Sequence, residues 1–344
     1  MSRPRATLRL VDVAERAGVS LATASRALAG RDGVSEEVAE RVRQVSRELG
    51  YVANPHARTL AGGATSTVGL IVHQIDDPYF SEIASGVIQA AGQQGLMVQI
   101  CQSDRDPDSE LWQLRHLIAQ RVGTIIIAGS GYVDPALEAG AKAELTAFQE
   151  AGGRVAAIGR HSFGVDAVLP DNTAGGRTLA EHVLSLGHRR IAVAAGTEKL
   201  TTVADRLAGV AAALEHRGIA LATLPVVYTD FTRDGGRLAA ERILTDHPET
   251  TAIIALNDAM AIGVLSALRS RGVSVPAQMS VAGFDDVSVA ADLAPGLTTV
   301  RLPMTEMGRT ALTMARKPSS ARPRRRSTGH ELVVRDSTGP APAA

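Results

Sequence analysis

From residue 65 onward, short strand-like runs alternate with stretches of helical periodicity. The runs are TVGLIV, LMVQIC, GTIIIAG and RVAAIG, and beyond residue 171 RIAVAAG, LPVVYTD, TAIIALN and MSVAGFD. Helical spacing marks 80–94, 175–186, 206–217 and 258–271 between them. Such alternation predicts parallel strands, because a parallel neighbour is reached only through a crossover connection. The runs are apolar throughout rather than at every second position, so both faces of each sheet are expected to be covered by helices. Four runs before residue 170 and four after it predict two similar sheets, hence an α/β body of two lobes.

The first fifty residues read differently, as helix alone. Leu10, Val13, Ala14 and Ala17 recur at helical spacing until Gly18 breaks the pattern. Ser20 is placed to cap a short second helix over 21–28, and Gly30 and Gly33 mark a turn. Ser35 is placed to cap a third, with Glu36 and Glu37 suited to its first turn, Val38, Val42, Val45 and Leu49 as its apolar stripe, and Gly50 as its stop. Two short helices across a tight turn, with a third to pack on them, form the helix-turn-helix arrangement. On a helical wheel Ala24, Ala27 and Leu28 face inward, while Leu21, Ala22, Ser25 and Arg26 face outward. Small outward side chains and one arginine suit entry into a DNA major groove. The stretch YVANPHARTLAGGA, 51–64, reads as a linker with at most a helical turn. Leu60 in it has no apolar stripe to join: it is either an ordinary linker residue or a wedge between base steps of the minor groove.

Charge adds a local asymmetry. The 344 residues are neutral overall, yet residues 1–64 hold ten arginines and seven acids, a net +3, and the remainder carries −3. Only Lys142, Lys199 and Lys317 are lysines, so the arginine preference is a property of the whole chain and does not by itself mark a nucleic-acid surface. The single cysteine, Cys101, leaves no internal disulfide and no cysteine-based metal cluster. The N-terminus has no hydrophobic signal core, and no apolar run approaches the ~18 residues of a membrane span. The expected location is the cytoplasm. The AGSG turn lacks the rest of a dinucleotide fingerprint. With no HExxH, Cys–His pair or nucleophile elbow, an enzyme is not expected, nor a cofactor.

Parallel sheets place ligands beyond the carboxyl ends of their strands, and two facing lobes make a cleft there. Strand ends point to Ile75–Phe80, Arg160 and His161, Asp230 and Phe231, Asn257 and Asp258, and Asp285 and Asp286. Carboxylates, amides and an arginine beside an aromatic ring suit a polyhydroxylated ligand.

Residues 10–62 resemble the headpiece and hinge of the lactose/galactose repressor family of bacterial transcription regulators. IDDPYFSEI, DNTAGG, LGHRRIAV, RLAGVAAAL, ALNDAMAIGVLSALRSRGVSVP, VAGFDDV and PGLTTVRLPMTEMG continue the resemblance in family order. It implies a homodimer reading a palindromic double-stranded operator, and a periplasmic-binding-protein-like body holding a small-molecule effector, with a sugar as the expected class. Leu21, Ala22 and Arg26 then face base edges, and Thr23 and Ser25 lie near phosphates. Leu60 matches the leucine that enters the minor groove. Ser20, Asn54 and Arg58 complete the candidate DNA-contacting set. Arg206, Asn257, Asp285 and Phe231 match effector-binding positions, joined by Tyr79, Phe80 and Arg160. The implied layout is a headpiece over 1–52, a hinge helix and linker over 53–64, one lobe from 65–169 with 299–330, a second from 170–298 with 331–338, and a disordered tail over 339–344. The hinge is expected to order only on DNA, and effector binding to be linked to it through lobe orientation.

Three features depart from the family pattern. Arg301, Leu302 and Pro303 stand where sugar-binding members often carry a glutamine. The loop IGRHSF is basic where many members carry an acid, which suits an acidic or phosphorylated sugar unless His161 is an ordinary solvated residue. The tail has no leucine heptad for tetramerisation. A solute-binding protein would share the two-lobed body, but with a signal peptide and without the headpiece.

Overall fold

A computed structural model describes residues 8–28, 30, 32–51, 67–318, 320 and 322–342. The chain divides into two compact units, 1–66 and 67–344. The hinge expected over 53–64, with Asn54, Arg58 and Leu60, lies outside the described residues.

The first unit contains α1 (Leu10–Ala17), α2 (Leu21–Leu28) and α3 (Glu36–Leu49). Gly18 and Gly50 end α1 and α3 in the left-handed region, which glycine enters without a Cβ clash. Val13, Ala14, Ala17, Ala24, Ala27, Ala39 and Val42 form its core. Ser35 occupies the N-cap position of α3, but its hydroxyl makes no capping bond.

In the second unit, one lobe is built on a six-stranded parallel sheet in the order β11-β5-β4-β3-β1-β2. Its strands are β1 (Thr67–Val72), β2 (Met97–Gln102), β3 (Thr124–Ala128), β4 (Arg154–Ile158), β5 (Asp166–Leu169) and β11 (Arg325–Ser327). Helices α4 (Pro78–Gly92), α5 (Pro107–Ala119), α6 (Ala139–Glu150) and α11 (Met304–Arg316) cover it. The other lobe has a four-stranded parallel sheet made of β7 (Val226–Tyr228), β6 (Ile191–Ala195), β8 (Ala252–Ala255) and β9 (Ser280–Ala282), in that spatial order. Its helices are α7 (Asn172–Ser185), α8 (Thr201–Glu215), α9 (Arg233–Asp246) and α10 (Asp258–Ser270).

Three helix pairs share one packing device. A side chain at Gly86 or Gly308 (α4 and α11), at Gly176 or Gly209 (α7 and α8), or at Gly236 or Gly263 (α9 and α10) would run into backbone of the facing helix. Reciprocal glycines thus let each pair close to near backbone contact.

The chain passes from the six-stranded to the four-stranded lobe between Leu169 and Asn172, and crosses back between Arg301 and Met304. The expected boundary at 299 therefore shifts. β10 (Thr299–Arg301) pairs antiparallel with β12 (Glu331–Val333), and bridges from Thr298 to Ala282 and from Arg301 to Asp285 tie it to the four-stranded lobe. β11 arises from the basic stretch SSARPRRRS, whose residues have no apolar pattern; its backbone completes an edge beside β5. Residues 339–342 of the tail are ordered where disorder was expected. The Gly339 N–H donates to Ser280 Oγ at 3.1 Å and the Ala341 N–H to the Leu186 carbonyl at 2.9 Å.

Candidate functional site

On α2 the burial follows the wheel. Ala24 and Ala27 are buried, Thr23 and Ser25 half-buried, and Ser20, Leu21, Ala22 and Arg26 exposed. Leu21 is 52 % exposed. Ser20 Oγ accepts the Thr23 N–H at 3.1 Å and lies 2.8 Å from the Thr23 hydroxyl, so both hydroxyls sit at the helix start. Arg26 Nε donates to the Ala22 carbonyl at 3.3 Å.

In the body, the carboxyl ends of the two sheets converge on one small space. It is lined by Tyr79, Phe80, Arg206, Phe231, Asn257 and Asp285 from the candidate set, together with His73, Asp77, Arg105, Gly129, Ser130 and Thr202. The space measures about 30 Å³, room for a water or two. A wider groove of about 670 Å³ adjoins it at Asp77 and Phe231.

Arg206 is the anchor of the wall formed by the four-stranded lobe. It is 2 % exposed. Its Nε donates to Asn172 Oδ1 at 2.9 Å, NH1 to the Leu256 carbonyl at 2.5 Å and NH2 to Asp285 Oδ1 at 2.7 Å. Its plane lies 3.7 Å from the centre of the Phe284 ring. Burial pushes the Asp285 carboxyl up to about 7, with Arg206 pulling it back. Asp285 and Asp286 hold φ of +115° and +56°, a left-handed backbone that non-glycine residues adopt at a cost and that is concentrated at functional sites. Asn257 caps α10 by accepting the Met260 N–H at 2.8 Å. Behind it Asp258 accepts the Val287 N–H and the Thr299 hydroxyl, and burial raises its carboxyl well above the ordinary range.

On the opposite wall, Tyr79 and Phe80 meet edge to face with centroids 5.0 Å apart. Asp77 caps their helix by accepting the Tyr79 N–H at 3.1 Å. His73 Nε2 lies 3.0 Å from the Ser130 N–H nitrogen and 3.1 Å from the Ser130 carbonyl oxygen, and its Nδ1 lies 3.2 Å from Ser103 Oγ. Burial holds this imidazole neutral, down to about 3. Any side chain at Gly129 would strike His73, and any at Gly196 would strike Phe231; these strand-end glycines make room for the rings beside the cleft.

Arg160 is not brought into that space. It forms a bidentate pair with Asp205 of α8, at 3.0 and 2.6 Å, and so links the lobes. His161 is buried rather than solvated: its Nδ1 lies 2.7 Å from Glu138 Oε1, and its ring stacks on Phe163. Arg160 and His161 of the loop are therefore already engaged by this chain's own acids, Asp205 and Glu138. Arg301 points away from the space to Asp286 and Glu331, at 2.7 and 3.0 Å.

The sequence pattern does not single out His73, Arg105, Ser130 or Thr202, although Gly129 and Ser130 belong to the glycine-rich turn AGSG. Ser130 serves the lobe seam, its Oγ accepting the Thr202 N–H at 2.9 Å. Only the glycines of that turn could have signalled a close approach.

Comparison with known proteins decides the family. Residues 65–328 match the model for periplasmic binding proteins and the sugar-binding domain of the LacI family, and residues 9–54 that for bacterial regulatory proteins of the lacI family. The chain belongs to the LacI family. HTH-type transcriptional regulator DegA of Bacillus subtilis is 33 % identical over 96 % of this chain and 98 % of its own length. HTH-type transcriptional regulator AscG of Escherichia coli is 33 % identical over 87 % and 88 %. Among solved structures, the Lac repressor dimer bound to operator and the anti-inducer ONPF matches with a TM-score of 0.83 at 26 % identity, covering 97 % of this chain and all of that one. The CelR–cellobiose complex matches at 0.71 and 30 %, covering 96 % and 99 %. As a LacI-family member the chain is a DNA-binding transcriptional regulator with an effector domain, not an enzyme. No helix among the described residues is long and apolar enough to cross a membrane.

Proposed function

We propose that the chain acts in the cytoplasm as a homodimeric repressor whose operator affinity is set by a polyhydroxylated effector in the cleft. One observation carries the effector reading: Arg206, Asn257, Asp285 and Phe231 arrive from separate elements at one small space facing Tyr79 and Phe80. The carboxylate, amide and guanidinium suit hydroxyls, and the rings suit the apolar face of a sugar. Arg160 acts at the lobe seam instead of touching the ligand. Because the space is smaller than a sugar, the effector binds a more open arrangement, and its differential affinity for the two is what shifts operator affinity.

The operator-reading set is Leu21, Ala22 and Arg26 toward bases, with Arg26 matched to guanine, and Ser20, Thr23 and Ser25 toward phosphates. Asn54, Arg58 and Leu60 act from the hinge, with Leu60 as a minor-groove wedge. The test is selection of bound duplexes from a random library, followed by operator titration with and without candidate sugars. A two-fold symmetric site and an effector response lost in Phe231→Ala are expected. A protein with no preferred sequence, or a response unchanged in that variant, overturns the reading.

A further inference from the structure

Arg105 is a cation left short of partners inside the ligand space. It follows β2 on two consecutive left-handed residues, Asp104 and Arg105, with φ of +55° and +57°. That backbone turns the side chain inward, where it is only 10 % exposed. Its guanidinium lies 5.9 Å from the centre of the Phe80 ring and 5.8 Å from that of Phe231, one aromatic from each lobe. It donates one hydrogen bond, from NH1 to Gln74 Oε1 at 2.5 Å. The facing carboxylate, Asp77 Oδ2, is 3.7 Å from NH2, too far for a hydrogen bond. A guanidinium has five N–H donors, and a buried charge is costly without hydrogen-bonded compensation.

The other cations around the cleft are committed. Arg206 is bonded to Asn172, Leu256 and Asp285, and Arg160 to Asp205. Asp77 pairs with Arg105 at 3.7 Å and Asp76 and Asp104 also favour its charge, but among the described residues none of these carboxylates accepts a hydrogen bond from it.

Resting on the cleft reading above, we infer that Arg105 determines effector specificity by receiving an anionic group, carboxylate or phosphate, on an otherwise polyhydroxylated ligand. A charged acceptor bonds a guanidinium about twice as strongly as a neutral hydroxyl and in a matching fork geometry. This places acid recognition at the end of β2, not in the loop IGRHSF, whose Arg160 is already paired with Asp205.

The test uses thermal unfolding of the full chain with three probes at matched ionic strength: D-gluconate, inorganic phosphate and D-glucitol, the last differing from gluconate only in lacking the carboxylate. A ligand raises the unfolding temperature by mass action. In the wild type, gluconate or phosphate is expected to half-saturate at a concentration at least about tenfold below glucitol, and Arg105→Met to abolish that preference. Gluconate alone responding assigns a carboxylate, phosphate alone a phosphate. Unliganded Arg105→Met is expected to unfold at or above the wild-type temperature, since an under-paired cation is removed. Three results overturn the assignment: no anion preference in the wild type, the same preference in Arg105→Met, or a marked fall in the unliganded unfolding temperature, which marks a structural role. Phe231→Ala separates the two readings. Probe responses that vanish there while ignoring Arg105→Met sink the anion assignment and leave the cleft; responses that ignore both sink the cleft as well.

Discussion

The two walls of the cleft hold their charged groups in opposite ways. On the four-stranded lobe, Arg206 spends its donors on Asn172, Leu256 and Asp285 and lies flat on Phe284. On the six-stranded lobe, Arg105 at the cleft donates one hydrogen bond among the described residues, and away from the cleft lining Tyr132 Oη and His161 Nε2 are buried without a partner there and Glu110 is 2 % exposed. The first wall is a closed network, which over-determines its geometry and can hold strained backbone at Asp285. The second is an incomplete one, and incomplete buried networks cost stability unless something else completes them. The contrast teaches a division of labour: one wall is preorganised, the other poised to gain partners.

Breaking the closed wall is expected to have the largest effect. Arg206→Ala leaves Asp285 buried without its counter-charge and orphans the Asn172 and Leu256 acceptors. Loss of one partner of a buried ion pair costs about 3–5 kcal/mol. Urea unfolding of the body is the measurement, and a change below about 1 kcal/mol would show Arg206 to be dispensable. Arg206→Ala is therefore a poor probe of effector response alone, because it also loosens the lobe.

The incomplete wall is expected to reveal itself through pH. Glu110 is pushed by burial from the ordinary 4.5 up to about 7, against the pull of His161. Between these values the folded chain binds a proton that the unfolded chain has released, so this group's contribution is full below pH 4.5 and declines as pH rises through 7. Asp285 slopes the same way; His73, held down to about 3, slopes oppositely as pH falls below 6.5. Comparing Glu110→Gln with the wild type isolates the one group. The variant is expected to match the wild type at low pH and exceed it above neutrality by at most about 3 kcal/mol. Equal stabilities across the range would show that Glu110 is not held in a desolvated site.

The alternation of strands and helices was legible because buried parallel strands are apolar at every position, and the strand-end rule located Phe231, Asn257 and Asp285. Arg105 was not legible, since its aim depends on a left-handed pair, Asp104 and Arg105, that no residue type announces. His161 read as solvated because its partner, Glu138, lies on a separate turn. β11 went unread because RRS is exposed and polar; it is a strand only by virtue of the β5 edge beside it. Periodicity reports burial against a core, and is silent where backbone geometry or a distant partner decides.

Smaller effects are expected where solvent reaches the interaction. Ser20→Ala removes the cap of α2 and is expected to cost the headpiece about 1 kcal/mol, read from its own unfolding transition. Arg160→Ala removes a pair whose arginine is 52 % exposed, so its effect on stability is expected to be about 1 kcal/mol or less. Its effect on lobe closure is the sharper readout. The pair spans the two lobes, whereas Arg206 binds within one, so losing it favours the open arrangement without disturbing either wall. Small-angle scattering of Arg160→Ala is expected to show a slightly more extended body, with ligand half-saturation shifted to lower concentration, because less closure must be undone before entry. An unchanged profile and unchanged half-saturation would mean that the backbone seam of Gly131 and Val133 with Thr201 and Lys199 holds the lobes by itself.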